Sequence, residues 1–203
     1  IDRVVISLLA RGHILIEDVP GVGKTVLASA VAKSVDGTFA RVQCTPDLLP
    51  SDITGINMFD RTSSDFSFRP GPVFNNIVVA DEINRTTPRT QSALLEAMQE
   101  RQVTIGTETF KLPDPFLVLA TMNPIEQEGT YPLPEAQVDR FMLKVVVNYP
   151  SKEEELEILH RMATTKQTTS VECVMQPESI AEARSLIDQI YVDEKIAQYI
   201  VDL

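Results

Sequence analysis

The 203-residue chain is long enough for one large domain or a domain and a half, and its 43% hydrophobic content supplies a core. A formal net charge of −11 argues against a broad basic surface for nucleic acid, leaving room only for a local groove. No apolar run approaches the ~20 residues of a membrane-spanning helix, and the distant Cys44 and Cys173 match no metal spacing, reading as ordinary reduced thiols of a cytoplasmic protein.

In chain order, residues 1–10 bring Ile1, Val4, Val5, Leu8 and Leu9 to one face at helical spacing, which predicts a buried helical face. The run is too short for a signal peptide and lacks a cleavage pattern. The chain opens on Ile1 instead of Met and stops within a helix-like pattern at Leu203, so a fragment of a longer protein is expected. Strands are predicted at residues 13–17, 39–43, 76–81, 116–121 and 142–147, and helices at 24–34 and 88–101. The second helix takes Thr87 as N-cap and Pro88 in its first turn, with Leu94, Leu95, Ala97 and Met98 facing the sheet. Nearly continuous apolar strands alternating with helices predict an α/β fold, a five-stranded, mostly parallel sheet between helices.

Two segments break the alternation. Residues 56–71 are polar with scattered aromatics and end in Pro-Gly, which suits a loop or small insertion better than core. Residues 101–115 set Val103 and Ile105 against Phe110 and Leu112 about Gly106-Thr107, which fits a β-hairpin. Composition shifts after Pro150: Ser151 and Glu154 form a capping box, and further helical patterns follow at 177–190 and 192–203. The chain thus divides into an α/β core at 1–150 and the start of a helical domain at 151–203.

The chemistry begins at "EDVPGVGKT", residues 17–25, which ends like the phosphate loop G-x-x-x-x-G-K-T between a strand and a helix. The loop from Pro20 to Val26 would surround a phosphate, with Gly21 and Gly23 letting the backbone N–H groups of Gly21, Val22, Gly23, Lys24, Thr25 and Val26 approach without side-chain obstruction. Lys24 would neutralise the β- and γ-phosphates of ATP or ADP, and Thr25 would coordinate Mg²⁺. Asp18 stands where the motif has its first glycine. A carboxylate ~4 Å from a phosphate would cost ~4 kcal/mol per charge pair at intermediate dielectric. Asp18 is therefore expected to turn away, towards backbone donors.

"IVVADEINR" is a buried strand ending in two acids, as in a Walker B motif. Asp81 would hold Mg²⁺ through water and Glu82 would polarise the attacking water as general base. Alone, the pair could equally cap a helix. Asn123 in "LATMNP" follows the strand expected beside that one, where its amide would orient the water, although Asn-Pro by itself is a turn signal.

Taken in order, "EDVPGVGKT", "DEINRTTPRTQSALLEAMQERQVT" and "LATMNPIEQEGTYPLPEAQVDRFML" resemble the MoxR branch of the AAA+ ATPases, strongly from His13 to about Pro150 and weakly beyond. The resemblance implies an AAA+ P-loop core with a hairpin before the first sensor, the insertion at 56–71, and a partial helical lid. It implies Asn123 as the first sensor and Arg140 as an arginine finger reaching a neighbouring subunit's γ-phosphate. An intramolecular pair of Arg140 with Asp139 or Glu135 is the alternative. Arg85 and Arg89 flank the acids and fit a subunit boundary or a plain surface equally. The second-sensor arginine would lie beyond Leu203, and part of the adenine site before Ile1.

The resemblance implies Mg-dependent ATP hydrolysis in a ring, a hexamer, driving chaperone-like remodelling of a partner such as a von Willebrand A (VWA) domain protein. Two alternatives remain. A nucleic-acid motor would need basic residues on the hairpin, where Arg101 and Lys111 stand against Glu108. A nucleotide-binding scaffold would lack turnover altogether.

Overall fold

The computed structural model describes residues 1–18, 23–61, 65–123, 129–163, 171–187 and 189–202. Its first elements are helix α1 (Asp2–Leu9), strand β1 (Ile14–Asp18), helix α2 (Lys24–Ser34), strand β2 (Phe39–Gln43) and the short helix α3 (Pro50–Thr54). Strands β3 (Gly55–Asp60) and β4 (Asp65–Pro70) precede β5 (Ile77–Asp81) and helix α4 (Pro88–Glu100). Strands β6 (Gln102–Ile105) and β7 (Glu108–Lys111) lead to β8 (Leu117–Met122), the one-turn helix α5 (Glu135–Val138) and β9 (Leu143–Val147). Helices α6 (Lys152–Met162), α7 (Pro177–Ile187) and α8 (Glu194–Val201) follow.

Five strands form one parallel sheet in the order β2-β5-β8-β1-β9, each within a residue of its expected bounds. The central strands are apolar up to their C-terminal ends because helices cover both faces. Leu15, Val78, Ala80, Val118 and Ala120 pack with Ile83, Leu94, Leu95 and Met98 on one side. On the other, Ile14, Ile16, Ile77, Val79, Leu117 and Leu119 meet Val4, Leu8, Ala28, Ala32 and Ile180. Strand β2 forms an edge, so only Val42 turns fully inward while Arg41 and Gln43 stay exposed. That alternation follows from the two-residue repeat of a strand.

Two local expectations change. Helix α1 buries Val4, Ser7 and Leu8, while Ile1 and Val5 are exposed, because only one narrow stripe of this surface helix touches the sheet. Thr87 occupies the N-cap position, but its hydroxyl meets Thr90 Oγ1 at 3.2 Å and caps no backbone N–H. Thr90 in turn donates to the Leu48 carbonyl at 2.8 Å, which ties α4 to the segment before α3.

Both interruptions of the α/β alternation are antiparallel hairpins. Residues 56–71 pair as β3 and β4, from Gly55 opposite Pro70 to Asp60 opposite Asp65. The chain enters and leaves this hairpin through a backbone crossing too tight for a side chain. A Cβ at Gly55 (φ 97°) would lie 2.7 Å from Gly71 N, and one at Gly71 would lie 2.3 Å from the Ile53 carbonyl oxygen. The second hairpin turns at Gly106 as expected, Val103 facing Phe110. Phe68 of the first stacks on Phe110 of the second, with centroids 4.1 Å apart and planes at 17°.

Beyond residue 150, Ser151 and Glu154 close the expected capping box: Glu154 N donates to Ser151 Oγ at 3.3 Å, and Ser151 N to Glu154 Oε2 at 2.8 Å. Helix α7 lies against the core. Ile180 is fully buried there, and Arg184 donates to the Leu8 carbonyl at 2.7 Å and pairs with Asp114. The Val174 and Met175 amides both donate to the Ser34 carbonyl.

His13 fastens the sheet to α4. Its Nδ1 accepts from Val118 N at 3.0 Å, which leaves the proton on Nε2 to donate to the Met98 carbonyl at 3.1 Å. Burial, opposed by the Met98 bond and aided by the charge of Arg101, lowers its pKa to about 4. An unfolded chain protonates near the ordinary imidazole value of 6.5, so between these limits the unfolded state binds more protons and stability rises with pH. The contribution is complete above pH 6.5, falls as pH drops towards 4, and amounts to about 3 kcal/mol. Urea midpoints at pH 7.0 and 4.5 should therefore diverge more for the wild type than for His13→Gln; equal divergence would refute the assignment.

Candidate functional site

Strands β1, β5 and β8 are sheet neighbours, so the loops at their C-terminal ends meet at one edge. Residues 19–22, including Pro20, Gly21 and Val22, lie outside the described residues, as does the side chain of Asp18 with its expected orientation. The adjoining Gly23 is the N-cap of α2 in the left-handed conformation (φ 79°, ψ 19°), a region glycine enters without penalty. Among the described residues a Cβ there would meet nothing within 4 Å. Lys24, Thr25 and Val26 form the first turn of this eleven-residue helix, whose N-terminal dipole favours an anion.

Asp81 ends β5 with both carboxylate oxygens engaged. Oδ1 accepts from Thr121 Oγ1 at 2.7 Å, and Oδ2 from Arg41 Nη2 at 2.6 Å. Burial alone would raise its pKa, but the Thr121 and Arg41 bonds and the charges of Lys24 and Arg41 outweigh it and hold the group below the usual carboxylate range. Asp81 is thus a carboxylate at neutral pH, as a cation ligand must be.

Glu82 adopts the left-handed conformation (φ 57°, ψ 52°), which costs a non-glycine residue roughly 1–3 kcal/mol. The surroundings enforce it: Glu82 N donates to Thr121 Oγ1 at 2.8 Å, so one hydroxyl serves both acids. Glu82 Oε2 accepts from Gln43 Nε2 at 3.0 Å and from Arg85 Nη1 at 3.1 Å. Cys44 beside them is no nucleophile, since burial and then the charges of Asp81 and Glu82 push its thiol up to about 12.

Asn123 is buried just past β8, and its carbonyl accepts from Asn84 Nδ2 at 3.3 Å. The Asn84 carbonyl accepts from Tyr131 N at 2.6 Å. Buried Gln91 Nε2 reaches the carbonyls of Ile83, Thr86 and Tyr131 at 3.1, 3.2 and 2.9 Å. The turn after the two acids is therefore tied to the segment leading to Arg140. Arg140 itself is exposed beyond α5, in an open groove with Glu96, Glu100 and Gln137, while Phe141 next to it is buried. Among the described residues no hydrogen bond or ion pair joins Arg140 to Asp81, Glu82, Asn123, Asp139 or Glu135. Arg101 donates to the Arg11 carbonyl, which leaves Lys111 as the exposed cation of the hairpin β6–β7, with Glu108 also exposed.

Thr121, Arg41, Gln43 and Gln91 were not expected from sequence. Arg41 and Gln43 share one face of β2 by the two-residue repeat, but only the pairing of Gln43 with Asp81 brings them to the site.

Residues 13–143 match the family model described as the ATPase family associated with various cellular activities, AAA. The Mycobacterium tuberculosis protein named Chaperone MoxR1 is 50% identical over 95% of this chain, and Methylorubrum extorquens Protein MoxR is 34% identical over 71%. The chain is a member of this AAA ATPase family, in its MoxR branch. Bacillus subtilis YeaC, an uncharacterised protein, is 51% identical over 97% of the chain. A crystal structure of a Cytophaga hutchinsonii protein, provisionally assigned as an ATPase, is 47% identical over 99% of the chain with a TM-score of 0.89. The chain spans 62% of YeaC, 52% of MoxR1, 43% of the M. extorquens protein and 61% of the Cytophaga chain. The α/β AAA+ core expected from sequence is the fold observed.

Nucleotide and Mg²⁺, which the family implies, fit what is present. The glycine at the start of α2 has open space in front of it, and Asp81 is ionised beside the charge of Lys24. Among the described residues no group of three or more His, Cys, Asp or Glu could cage a metal. Among the described residues no helix is long and apolar enough to cross a membrane.

Proposed function

We propose that this chain is the nucleotide-hydrolysing core of a MoxR-type AAA+ ATPase. The observation carrying this reading is the convergence of Lys24-Thr25, Asp81-Glu82 and Thr121-Asn123 at the ends of three neighbouring strands. Backbone groups of residues 20–26 would surround the phosphates of ATP, with Lys24 on the β- and γ-phosphates. Thr25 and Asp81 would hold Mg²⁺, which when bound neutralises phosphate oxygens. Glu82 would take the proton of the attacking water, Asn123 would orient that water, and Arg140 would enter the site of the next subunit. A ring of six copies, chaperone-like remodelling and a VWA-domain partner complete the reading. Family membership supports a ring and the name of the Mycobacterium relative supports the chaperone-like role, while six copies and the VWA-domain partner rest on the motif resemblance alone. The nucleic-acid alternative draws only weak support from the hairpin, where Arg101 donates to the Arg11 carbonyl and exposed Lys111 stands with exposed Glu108.

Calorimetric titration with ATP tests the site directly. Lys24→Ala should weaken binding by about tenfold or more, the loss of a charge-assisted hydrogen bond. Equal affinity in both proteins would remove Lys24 from the site.

A further inference from the structure

Gln91 lies on the core-facing side of α4, 1% exposed, and its Nε2 stands within hydrogen-bond distance of three backbone carbonyls. Two belong to the turn that follows Asp81 and Glu82, Ile83 at 3.1 Å and Thr86 at 3.2 Å. The third is Tyr131 at 2.9 Å, where the segment leading through α5 to Arg140 begins. All three neighbours are acceptors, so the nitrogen and not the oxygen of the amide faces them. That nitrogen carries two N–H groups, and three carbonyls therefore share two protons. Tyr131 N also donates to the Asn84 carbonyl at 2.6 Å. The backbone of Tyr131 is thus gripped twice by the turn after the acids, once directly and once through Gln91.

We propose that Gln91 is a positioning residue that makes the placement of Arg140 follow the turn after Glu82. In the arrangement observed, one N–H stays on Tyr131 while the Ile83 and Thr86 carbonyls share the other. If the turn shifts so that each of its carbonyls takes an N–H for itself, Tyr131 keeps the Asn84 bond alone and its segment loosens. Asp81 and Glu82 head that turn, so a ligand that moves the acids redistributes the two protons. Leu133 and Val138 bury part of their surface against the core, and Phe141 is buried beyond them, so a displacement at Tyr131 is carried along the one-turn helix α5 to Arg140. A neutral amide can divide its donors in this way inside the core, where a charged donor would carry a heavy desolvation cost. The inference rests on the nucleotide-site reading above and adds to it the side chain through which a subunit's own site sets the arginine it presents.

The test places a trifluoromethyl label on Ala136→Cys, an exposed position of α5, in full-length protein with and without Gln91→Met. Its fluorine NMR signal is assigned by its absence from protein retaining Ala136. It is then followed as Mg²⁺ and the non-hydrolysable analogue adenylyl imidodiphosphate are added, with affinity measured on the same samples. The analogue should shift the label when Gln91 is present. Gln91→Met should keep affinity within about twofold yet lose at least about half of that shift. Turnover at saturating ATP should fall about tenfold at nearly unchanged KM, the loss of one hydrogen bond in the placed state. Gln91→Glu, which has the same shape and at most one donor when protonated, should lose the shift as well. A full shift in either variant, or no shift with Gln91 present although the analogue binds, would overturn the link and leave the site intact. A loss of affinity in both variants as large as their loss of turnover would make Gln91 a residue of the fold alone, and would also overturn it. Absence of analogue binding by the wild type would overturn the nucleotide-site reading, and this proposal with it.

Discussion

Replacing Glu82 with glutamine is expected to lower ATP turnover by about 10²–10⁴-fold, the usual contribution of a positioned general base, while ATP affinity stays within a factor of about two. Glutamine is isosteric and keeps an oxygen for the Gln43 and Arg85 donors, and the backbone bond from residue 82 to Thr121 is untouched. The strained turn should therefore persist, and only the basicity disappears. Phosphate release and calorimetry on the same preparation separate the two effects. Turnover unchanged by the substitution would remove Glu82 from the role of base, and no turnover in the wild type would leave a nucleotide-binding scaffold. The ATP-trapped variant is also the right bait for a partner: recovery of a VWA-domain protein would support the remodelling reading, and recovery of DNA alone would oppose it.

Arg140→Ala is expected to reduce turnover by about 10³–10⁵-fold, the range over which a trans arginine stabilises transition-state charge. Arg140 is exposed, is engaged by no acid among the described residues, and is presented on a segment anchored by buried Phe141. If it serves a neighbour's site, defects should complement. A ring mixing Arg140→Ala with Lys24→Ala subunits contains intact sites wherever a Lys24→Ala arginine faces an Arg140→Ala nucleotide. Mixtures should then recover a fraction of wild-type turnover that neither variant has alone. Additive inactivity across all mixing ratios would place Arg140 outside the neighbour's site.

Much of this architecture is legible in the sequence because its cause is local. Continuous apolar strands, the glycine and lysine before α2, Pro88 at the start of α4 and the Ser151–Glu154 box each act over a few residues. The misreadings have a common origin in distant contacts. Val5 repeats at helical spacing, yet nothing covers it, and Thr87 has cap chemistry, yet Thr90 takes its hydroxyl. Arg41 and Gln43 look like the solvent face of an edge strand, and their partners stand some forty positions downstream. Gln91 sits on the buried face of α4, where its amide reaches Tyr131, also forty positions away. Phosphate-loop chemistry is written in consecutive residues; the donors that poise Asp81 and Glu82 depend on which strand lies beside which.

The crossing at Gly55 and Gly71 has a consequence for how this domain tolerates change. The two backbones touch where the first hairpin leaves the core, so the ends of residues 56–70 are already adjacent. The segment is a cassette. Its excision in favour of a short turn, or its exchange for a hairpin of another length, is expected to leave the spacing of α3 and β5 unchanged. Phe68 against Phe110 is the stacking partnership such a graft would have to supply again.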